Sequence, residues 1–262
     1  MKTQFFKFHG TGNDFILIDN REGTFMAHPS AVAALCDRHF GIGADGLILL
    51  QRAEGFDFGM NYYNSDGKES TMCGNGGRCI TAFAGHLGII TGKARFTATD
   101  GEHHGEILSQ EGREYTVRVR LRDALVDAST ALGTFVNTGS PHLVRFVADV
   151  NKVDVVKEGR KIRYGKKFAG EGINVDFVEI IKETLHVRTY ERGVEDETLS
   201  CGTGVTAAAL VTASKFNPAK GFYNVETRGG HLRVSFRQDR SGFADVWLEG
   251  AARLVFEGIV ET

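Results

Sequence analysis

Two short phrases built on a cysteine and two glycines occur once in each half of the chain. They read Cys73-Gly-Asn-Gly and Cys201-Gly-Thr-Gly. Position 201 lies 128 residues after position 73, close to half of the 262 residues. A related phrase that begins with a tyrosine precedes each of them, at Tyr63 and Tyr190. This spacing predicts a diverged internal duplication, in which two related halves each supply one loop to a shared site.

Apolar residues recur at helical spacing directly after each phrase. They are Ile80, Phe83, Ala84 and Leu87 in the first half and Val205, Ala208, Ala209 and Thr212 in the second. Both cysteines are therefore predicted at helix N-termini, where unpaired N–H groups and the helix dipole favour a thiolate or a bound carboxylate. The flanking glycines allow a ligand to approach the backbone closely. The other two cysteines, Cys36 and Cys79, are expected in the core.

The composition excludes several classes of protein. The chain is 42% hydrophobic and 24% charged, and its formal net charge is −2. This balance gives no reason to expect a nucleic-acid or membrane partner, and the basic cluster at 160–167 is interpreted as a solvated turn.

The first residues lack a signal-peptide pattern, and four cysteines without a dense disulfide spacing fit a reducing cytoplasm. His103 and His104 lack metal-ligand spacing, so we expect a surface hairpin there and no metal site.

Short extended runs dominate the chain, and this predicts an α+β fold with few helices. The expected strands cover 14–19, 46–51, 57–63, 95–99, 115–121, 142–147, 173–181, 184–190, 231–236, 243–248 and 253–260. Helices are expected at 30–39, with Ser30 as the cap, and after each cysteine loop, with one short turn near 147–153. The boundary between two domains is placed near 121–130, so that 1–121 and 122–249 form one domain each.

Six separated segments together resemble the diaminopimelate epimerase family. They are HGTGNDFILID at 9–19, DRHFGIGADGLI at 37–48, NSDGKESTMCGNGGRC at 64–79, GSPH at 139–142, NVDFVE at 174–179 and YERGVEDETLSCGTG at 190–204. The resemblance spans nearly the whole chain in the correct order. It implies two pseudosymmetric domains, each with strands wrapped around a central helix, an active site in the cleft between them, and a return of 250–262 to the first domain.

The resemblance also implies the activity: interconversion of LL-2,6-diaminopimelate and meso-2,6-diaminopimelate in lysine biosynthesis, without a cofactor. Inverting a stereocentre requires one group to remove the α-hydrogen and another to deliver a proton to the opposite face. Cys73 and Cys201 match the two catalytic thiols. Family resemblance allows a homodimer.

The family's substrate-binding positions carry over residue by residue. They fall on Asn13, Asn64, Gly74, Asn75, Asn174, Glu191, Arg192, Gly202 and Thr203. Arg192 is expected to grip the distal carboxylate of the substrate, and Glu191 to hold an ammonium or to help a thiol lose its proton. His142 occupies a position beside a catalytic cysteine, where an imidazole helps to set thiol protonation.

Two positions depart from the family's pattern. Ser140 stands where the family usually has an asparagine, and Gly46 stands where some members have a glutamine. We expect these changes to alter affinity or stringency at the distal end of the substrate and to leave the chemistry at the α-carbon intact.

Two other functions stay open at this point. A proline or hydroxyproline racemase shares the paired cysteine loops, but Asn75 stands where those enzymes tend to carry histidine, and Arg192 would lack a second carboxylate to bind. A non-catalytic amino-acid-binding protein, or an isomerase that uses an acidic residue as phenazine-type isomerases do, would not need both thiols. Exchange of the substrate α-hydrogen with solvent deuterium separates these alternatives.

Overall fold

The computed structural model describes residues 2–261 and divides them into two compact units. The first unit runs to Val119 and resumes at Gly250, and the second spans Arg120–Glu249. We propose that these units are the two domains expected from the sequence. Met1 and Thr262, the outer ends of the first expected domain, lie outside the described residues.

Strands make up most of the regular structure. They are β1 (Lys2–Gly10), β2 (Asn13–Asp19), β3 (Gly46–Gln51), β4 (Phe58–Asn64), β5 (Glu69–Ser70), β6 (Lys93–Ala98), β7 (Gly101–Glu111), β8 (Glu114–Arg120), β9 (Val126–Thr130), β10 (Gly133–Asn137), β11 (Pro141–Phe146), β12 (Asn174–Ile181), β13 (Thr184–Glu191), β14 (Asp196–Thr198), β15 (Phe222–Thr227), β16 (Gly230–Asp239) and β17 (Gly242–Glu261). The helices are α1 (Pro29–Cys36), α2 (Gly74–His86), α3 (Val155–Arg163) and α4 (Gly202–Phe216), with a 3-10 turn at Val150–Lys152.

Eight strands of the first unit form a closed ring in the order β1, β2, β3, β4, β6, β7, β8 and β17, and β17 pairs again with β1. The β2–β3 and β4–β6 pairs are parallel and the others antiparallel. Helix α2 is buried from Gly74 to Ala84 and packs against β1, β2, β3 and β7. Its small residues allow this position, because a Cβ on Gly76 would lie only 3.2 Å from Ile48 Cδ1. The first unit is thus a barrel around a helix.

The second unit repeats this arrangement of a buried helix covered by strands. Strands β9, β10, β11, β12, β13, β15 and β16 pair in that order, and the β11–β12 and β13–β15 pairs are parallel. Helix α4 is buried from Gly204 to Ala213 and packs against all seven of these strands. The α+β fold predicted from the sequence, with a strand-rich sheet around a central helix in each half, is confirmed.

The short helices agree only in part with the expectations. The turn expected near 147–153 is confirmed by the 3-10 turn, and Cys36 and Cys79 are both buried as expected. The cap expected at Ser30 is wrong, because α1 begins at Pro29 and its N-cap is His28. Proline is pre-organised for the first helical position, and the N-cap therefore lies two residues before Ser30.

The solvated turn expected at 160–167 is wrong for its first half, because α3 extends to Arg163, and confirmed for 164–167, where the chain turns at the surface. The buried residues of α3, Val155, Gly159 and Ile162, follow helical spacing, but the middle one is a glycine, which weakens the apolar pattern in the sequence. Gly159 is required by packing: a Cβ at this position would overlap the Tyr190 side chain. A contact with a distant strand therefore places a poor helix former in the middle of the helix.

Strand β7 lies outside the strands expected from the sequence. Of its eleven residues only Gly105 is buried, so it lacks the alternation of apolar and polar residues that marks a strand with one buried face. His103 and His104 lie on this strand, which pairs antiparallel with β6. In the described part of the chain, none of the helices combines the length and apolar character needed to span a bilayer.

Candidate functional site

Each cysteine of the repeated phrases lies at the N-cap of a buried helix. Cys73 precedes α2 in an extended conformation, with φ −101° and ψ 137°, and Cys201 precedes α4 with φ −112° and ψ 112°. The Cys73 carbonyl accepts from Gly77 N–H at 2.7 Å, and the Cys201 carbonyl accepts from Val205 N–H at 2.9 Å. The prediction that both cysteines open helices is confirmed. Each thiol therefore lies beside the positive end of a helix dipole.

The half-site of the first unit brings Cys73 together with two amide side chains. The Cys73 thiol lies 3.8 Å from Asn13 Oδ1, to which it donates, and Asn75 Nδ2 donates to the same oxygen at 3.2 Å. The other end of the Asn13 amide, Nδ2, donates to Asp45 Oδ2 at 2.7 Å. Asn13 and Asn75 were expected from the sequence, whereas Asp45 was missed.

Asn64 and Gly46 lie directly opposite one another where β3 and β4 pair. A Cβ at position 46 would lie 2.5 Å from the Tyr63 carbonyl oxygen and 2.6 Å from the Tyr62 ring. A glutamine at this position therefore requires the neighbouring strand to move. The space that the glutamine of some family members would need here is taken by the two tyrosines of β4.

The half-site of the second unit is a chain of hydrogen bonds that starts at a buried carboxylate. Asp176 Oδ2 accepts from His142 Nδ1 at 2.8 Å, and both side chains are fully buried. His142 Nε2 lies 2.9 Å from Thr203 Oγ1, and Thr203 Oγ1 lies 3.5 Å from Cys201 Sγ. His142 is thus connected to Cys201 through Thr203, and its influence on the thiol stays a prediction.

The hydrogen-bonding groups between Asp176 and Cys201 determine which atom carries each proton. An ionised carboxylate only accepts, so His142 carries its proton on Nδ1. His142 Nε2 is then an acceptor, and the Thr203 hydroxyl lies 2.9 Å from it. Thr203 donates its hydroxyl proton to Nε2, and its oxygen is left to accept from the Cys201 thiol. A proton leaving Cys201 has a path through Thr203 to His142.

The second glycine of the Cys201 phrase makes room for this chain. A Cβ on Gly204 would lie 2.5 Å from Asp176 Oδ1 and 3.0 Å from Thr189 Oγ1. Thr189 Oγ1 itself donates to Asp176 Oδ1 at 2.8 Å. Asp176 and Thr189 were missed in the sequence. The available signal was an acidic residue between the apolar Val175 and Phe177 of a strand, a position that is rare for a carboxylate unless the charge is paired.

Asn174 holds the remaining expected residues of the second unit. Its Nδ2 donates to Ser140 Oγ at 2.8 Å and to the Pro141 carbonyl at 3.2 Å. Its Oδ1 accepts from the Arg192 backbone N–H at 2.8 Å. The Arg192 guanidinium donates to the Glu171 carbonyl oxygen at 2.8 Å. Asn174 therefore positions both the loop of Ser140 and the loop of Arg192.

Burial and negative charge keep the Cys201 thiol protonated. Burial raises the pKa of Cys201 well above its ordinary value, and the negative charges of Glu191 and Asp176 raise it further. Burial likewise raises the pKa of Glu191, whose carboxyl group interacts with the Cys201 thiol. These effects favour the neutral thiol of Cys201 over its thiolate.

We expect Glu191→Gln to change how stability depends on pH. Because the pKa of Glu191 is raised above 4.5 in the folded state, the native protein binds more protons than the unfolded chain between these two pKa values. The contribution of Glu191 is therefore fully present below pH 4.5 and declines as the pH rises through the folded pKa. The free energy of unfolding of the variant, measured in urea from about pH 4 to pH 8, should lack this decline.

The exposed Glu183 provides the control, since its substitution by glutamine should leave the pH profile parallel to that of the parent protein. Parallel profiles for Glu191→Gln and the parent would contradict the assignment of a raised pKa to Glu191.

Comparison with known proteins places the chain in a family. The family model described as diaminopimelate epimerase matches residues 5–122 and 134–255. The diaminopimelate epimerase of Flavobacterium psychrophilum is 47% identical over 258 residues, which cover 96% of this chain and 98% of that protein. The diaminopimelate epimerase of Chlorobaculum tepidum is 44% identical, with coverage of 96% and 98%.

Solved structures with low sequence identity share the fold. A phenazine biosynthesis protein of the PhzF family from Bacillus anthracis matches with a TM-score of 0.80 at 14% identity, over 100% of both chains. A hydroxyproline epimerase from Agrobacterium vitis matches with a TM-score of 0.71 at 14% identity, over 99% of this chain and 92% of that one. At such identities the likeness concerns the fold alone. The full-length matches to the curated relatives decide the family: the chain belongs to the diaminopimelate epimerases.

Proposed function

We propose that this protein is an isomerase that interconverts LL-2,6-diaminopimelate and meso-2,6-diaminopimelate in lysine biosynthesis. The observation that carries the proposal is the pair of cysteines, each at the N-terminus of a buried helix, in a chain of this family. A binding protein would have no need of two thiols placed in this way.

Inversion at the α-carbon requires two acid/base groups on opposite faces of one carbon. Cys73 and Cys201 take these roles, one as the thiolate that removes the α-hydrogen and the other as the thiol that delivers a proton. The roles exchange in the reverse direction.

The α-carboxylate of the substrate takes up the developing negative charge. The first N–H groups of each helix, at Gly74 and Asn75 and at Gly202 and Thr203, bind it more tightly as that charge grows. This electrostatic stabilisation takes the place of an electron sink, so the proposed reaction uses no cofactor. Removing one such donor typically costs about 3 kcal/mol of transition-state stabilisation.

The chain from Cys201 to Asp176 accounts for the conversion of a strongly protonated thiol into a base. The Cys201 proton passes to Thr203 Oγ1 while the Thr203 hydroxyl proton passes to His142 Nε2. This transfer produces an imidazolium, which the Asp176 carboxylate stabilises at 2.8 Å. Glu191 is a second acceptor, since its raised pKa brings it closer to that of a thiol.

The distal end of the substrate carries a second carboxylate and a second ammonium. Arg192 suits the carboxylate because a guanidinium grips it with two parallel hydrogen bonds. The amides of Asn13, Asn64 and Asn174 provide neutral donors and acceptors for the remaining groups, and Glu191 suits an ammonium. These assignments extend the family's binding positions to this chain.

The proposal is tested by incubating the reduced protein with LL-diaminopimelate in deuterium oxide and following both the meso product and α-deuterium. We expect meso-diaminopimelate that carries deuterium at the inverted carbon. Proline is the control substrate. Exchange on proline alone would assign the protein to the racemase branch, and no exchange on either substrate would indicate a binding protein.

We expect Ser140→Asn to lower the KM for diaminopimelate by about threefold, the effect of one modest hydrogen bond. The longer amide reaches further than the hydroxyl that Asn174 now holds at 2.8 Å. The rate of α-deuterium exchange at saturating substrate should stay within about twofold, as expected for a contact that binds ground state and transition state alike.

The matched variant Ser140→Ala should raise KM, because it removes the hydroxyl that Asn174 contacts. A KM that is equal in both variants would show that position 140 does not contact the substrate.

We also propose that the protein works as a homodimer. The support is three exposed apolar side chains near the end of β17, at Val255, Phe256 and Ile259, of which Ile259 is 69% exposed. Apolar surface of this kind is typical of an interface between subunits. Light scattering during gel filtration should give twice the chain mass, and Ile259→Lys should lower it toward that of the monomer.

The proposed location is the cytoplasm. All four cysteines are free thiols, and the proposed reaction requires two of them to remain reduced. Cell fractionation should recover the epimerase activity with cytoplasmic markers, and recovery in a secreted or membrane fraction would contradict this location.

A further inference from the structure

Arg78 is a charged side chain with no exposed surface, in the first turns of α2 five residues after Cys73. Its guanidinium donates to three neutral acceptors: Asn75 Oδ1 at 3.0 Å, Thr11 Oγ1 at 3.1 Å and the Gly74 carbonyl at 3.5 Å. Its Nε has no hydrogen-bond partner in the described part of the chain. A guanidinium buried among neutral groups is costly to the fold, so its presence calls for a role at the adjacent site.

Arg78 is one end of a chain of hydrogen bonds that runs through both amides of the first half-site. Arg78 Nη2 donates to Asn75 Oδ1, Asn75 Nδ2 donates to Asn13 Oδ1 at 3.2 Å, and Asn13 Nδ2 donates to Asp45 Oδ2 at 2.7 Å. A guanidinium only donates and an ionised carboxylate only accepts. The two ends therefore force both amides into a single orientation.

The orientation of Asn13 matters for Cys73. Its carbonyl oxygen faces the thiol at 3.8 Å and accepts the S–H. If the Asn13 amide were reversed, its NH₂ group would face the sulfur and would favour the thiolate. The chain thus determines which group of Asn13 meets both the thiol and the substrate.

The two ends of the chain differ in accessibility. The Asp45 side chain is 44% exposed and also pairs with Arg38 at 2.8 Å. Arg78 is enclosed, and a Cβ on Gly10 would lie 3.1 Å from both Arg78 Nη2 and the Asn75 carbonyl. Asp45 is accordingly the end that can be altered without disturbing the core.

We propose that Arg78 and Asp45 are positioning residues, which hold the Asn75 and Asn13 amides in the one orientation that serves Cys73 and the substrate. Neither residue contacts the reacting carbon in this proposal. The part that concerns substrate rests on the proposed epimerase function, whereas the polarised chain itself is a property of the free protein.

The hydrogen-bond chain from Arg78 to Asp45 is tested in the free protein by nuclear magnetic resonance of selectively labelled asparagine side-chain amides. Asp45→Ala should shift the side-chain amide signals of Asn75, although Asn75 does not touch Asp45. Arg38→Ala is the matched control, because it removes the ion pairs of Arg38 with Asp45 and Asp14 and leaves the acceptor of Asn13 in place. An unchanged Asn75 signal in Asp45→Ala, or an equal shift in Arg38→Ala, would overturn the proposal.

Kinetics test the consequence for the site. Asp45→Ala should lower kcat/KM for LL-diaminopimelate about tenfold, the value of a hydrogen bond to a charged group. It should also shift the pH profile of kcat/KM, whereas Arg38→Ala should stay within about twofold of the parent. Asp45→Asn retains an acceptor oxygen and should restore most of the activity at an unchanged melting temperature.

The two halves of the test fail separately. If the parent protein showed no α-deuterium exchange, the epimerase function would be disproved. The resonance measurement would then still test whether the hydrogen-bond chain from Arg78 to Asp45 exists. An active parent in which Asp45→Ala shifts the Asn75 signals but leaves the kinetics and pH profile unchanged would overturn the positioning role alone.

Discussion

Cys73→Ala and Cys201→Ala should each lower the rate of meso-diaminopimelate formation by about 10³-fold to 10⁴-fold, the usual contribution of a general acid or base. Each variant lacks one of the two groups that inversion requires, so a single thiol cannot complete the reaction. The measurement is product formation and α-deuterium incorporation under reducing conditions, with the melting temperature recorded for each variant.

Cys36→Ala is the matched control for this pair. Cys36 is a free and buried cysteine of the first unit that lies outside the half-site, so its removal should leave activity within about twofold even if it costs some stability. If Cys73→Ala or Cys201→Ala kept more than about a tenth of the parent activity, the two-thiol mechanism would be wrong for this protein.

Asp176→Asn should lower kcat by about 10²-fold or more and should leave the fold intact. A carboxylate accepts from both His142 and Thr189, whereas an amide must present its NH₂ group to one of them. When that NH₂ group meets Nδ1, the His142 proton moves to Nε2 and the hydrogen bond to Thr203 reverses. The Cys201 proton then loses its path to the imidazole, as in other sites where an aspartate sets the tautomer of a catalytic histidine.

The readout for this role is the pH profile of kcat together with the rate at which iodoacetamide labels Cys201. Asp176→Ala should in addition destabilise the fold by about 3 kcal/mol, since it leaves His142 and Thr189 buried without their acceptor. Asp127→Asn, at an exposed position, is the control and should change neither quantity. A pH profile that is identical in Asp176→Asn and the parent would exclude the proton path through His142.

The cysteine loops could be predicted from the sequence because the signals that place them are local. The spacing of Ile80, Phe83 and Leu87 after Cys73, and the matching pattern after Cys201, depends only on the 3.6-residue period of a helix. The strands with one buried face, such as β8, were predicted for the same reason, because apolar and polar side chains alternate along consecutive residues.

The substrate-binding set is a different case. Asn13 lies 60 residues before Cys73, and no periodicity connects them. Both were expected at the site only because they fall in segments that resemble one family, and the resemblance gives no physical reason for a contact between them. In the structure, the pairing of β1 with β2 and the start of α2 inside the barrel bring Asn13 and Cys73 within 3.8 Å.

The tertiary structure alone decided the contacts of Asp176, Arg78 and Gly159. Asp176 reaches His142 because β11 and β12 pair in parallel with His142 opposite Asn174, and strand register is set by contacts between distant segments. Arg78 would be read as a surface charge on a helix, but α2 is enclosed by a ring of strands and no face of it meets solvent at that level. Local patterns in this sequence determined where the two central helices begin and which cysteines precede them. The partners of each charge depended on which strands enclose it, and that is a property of the whole fold.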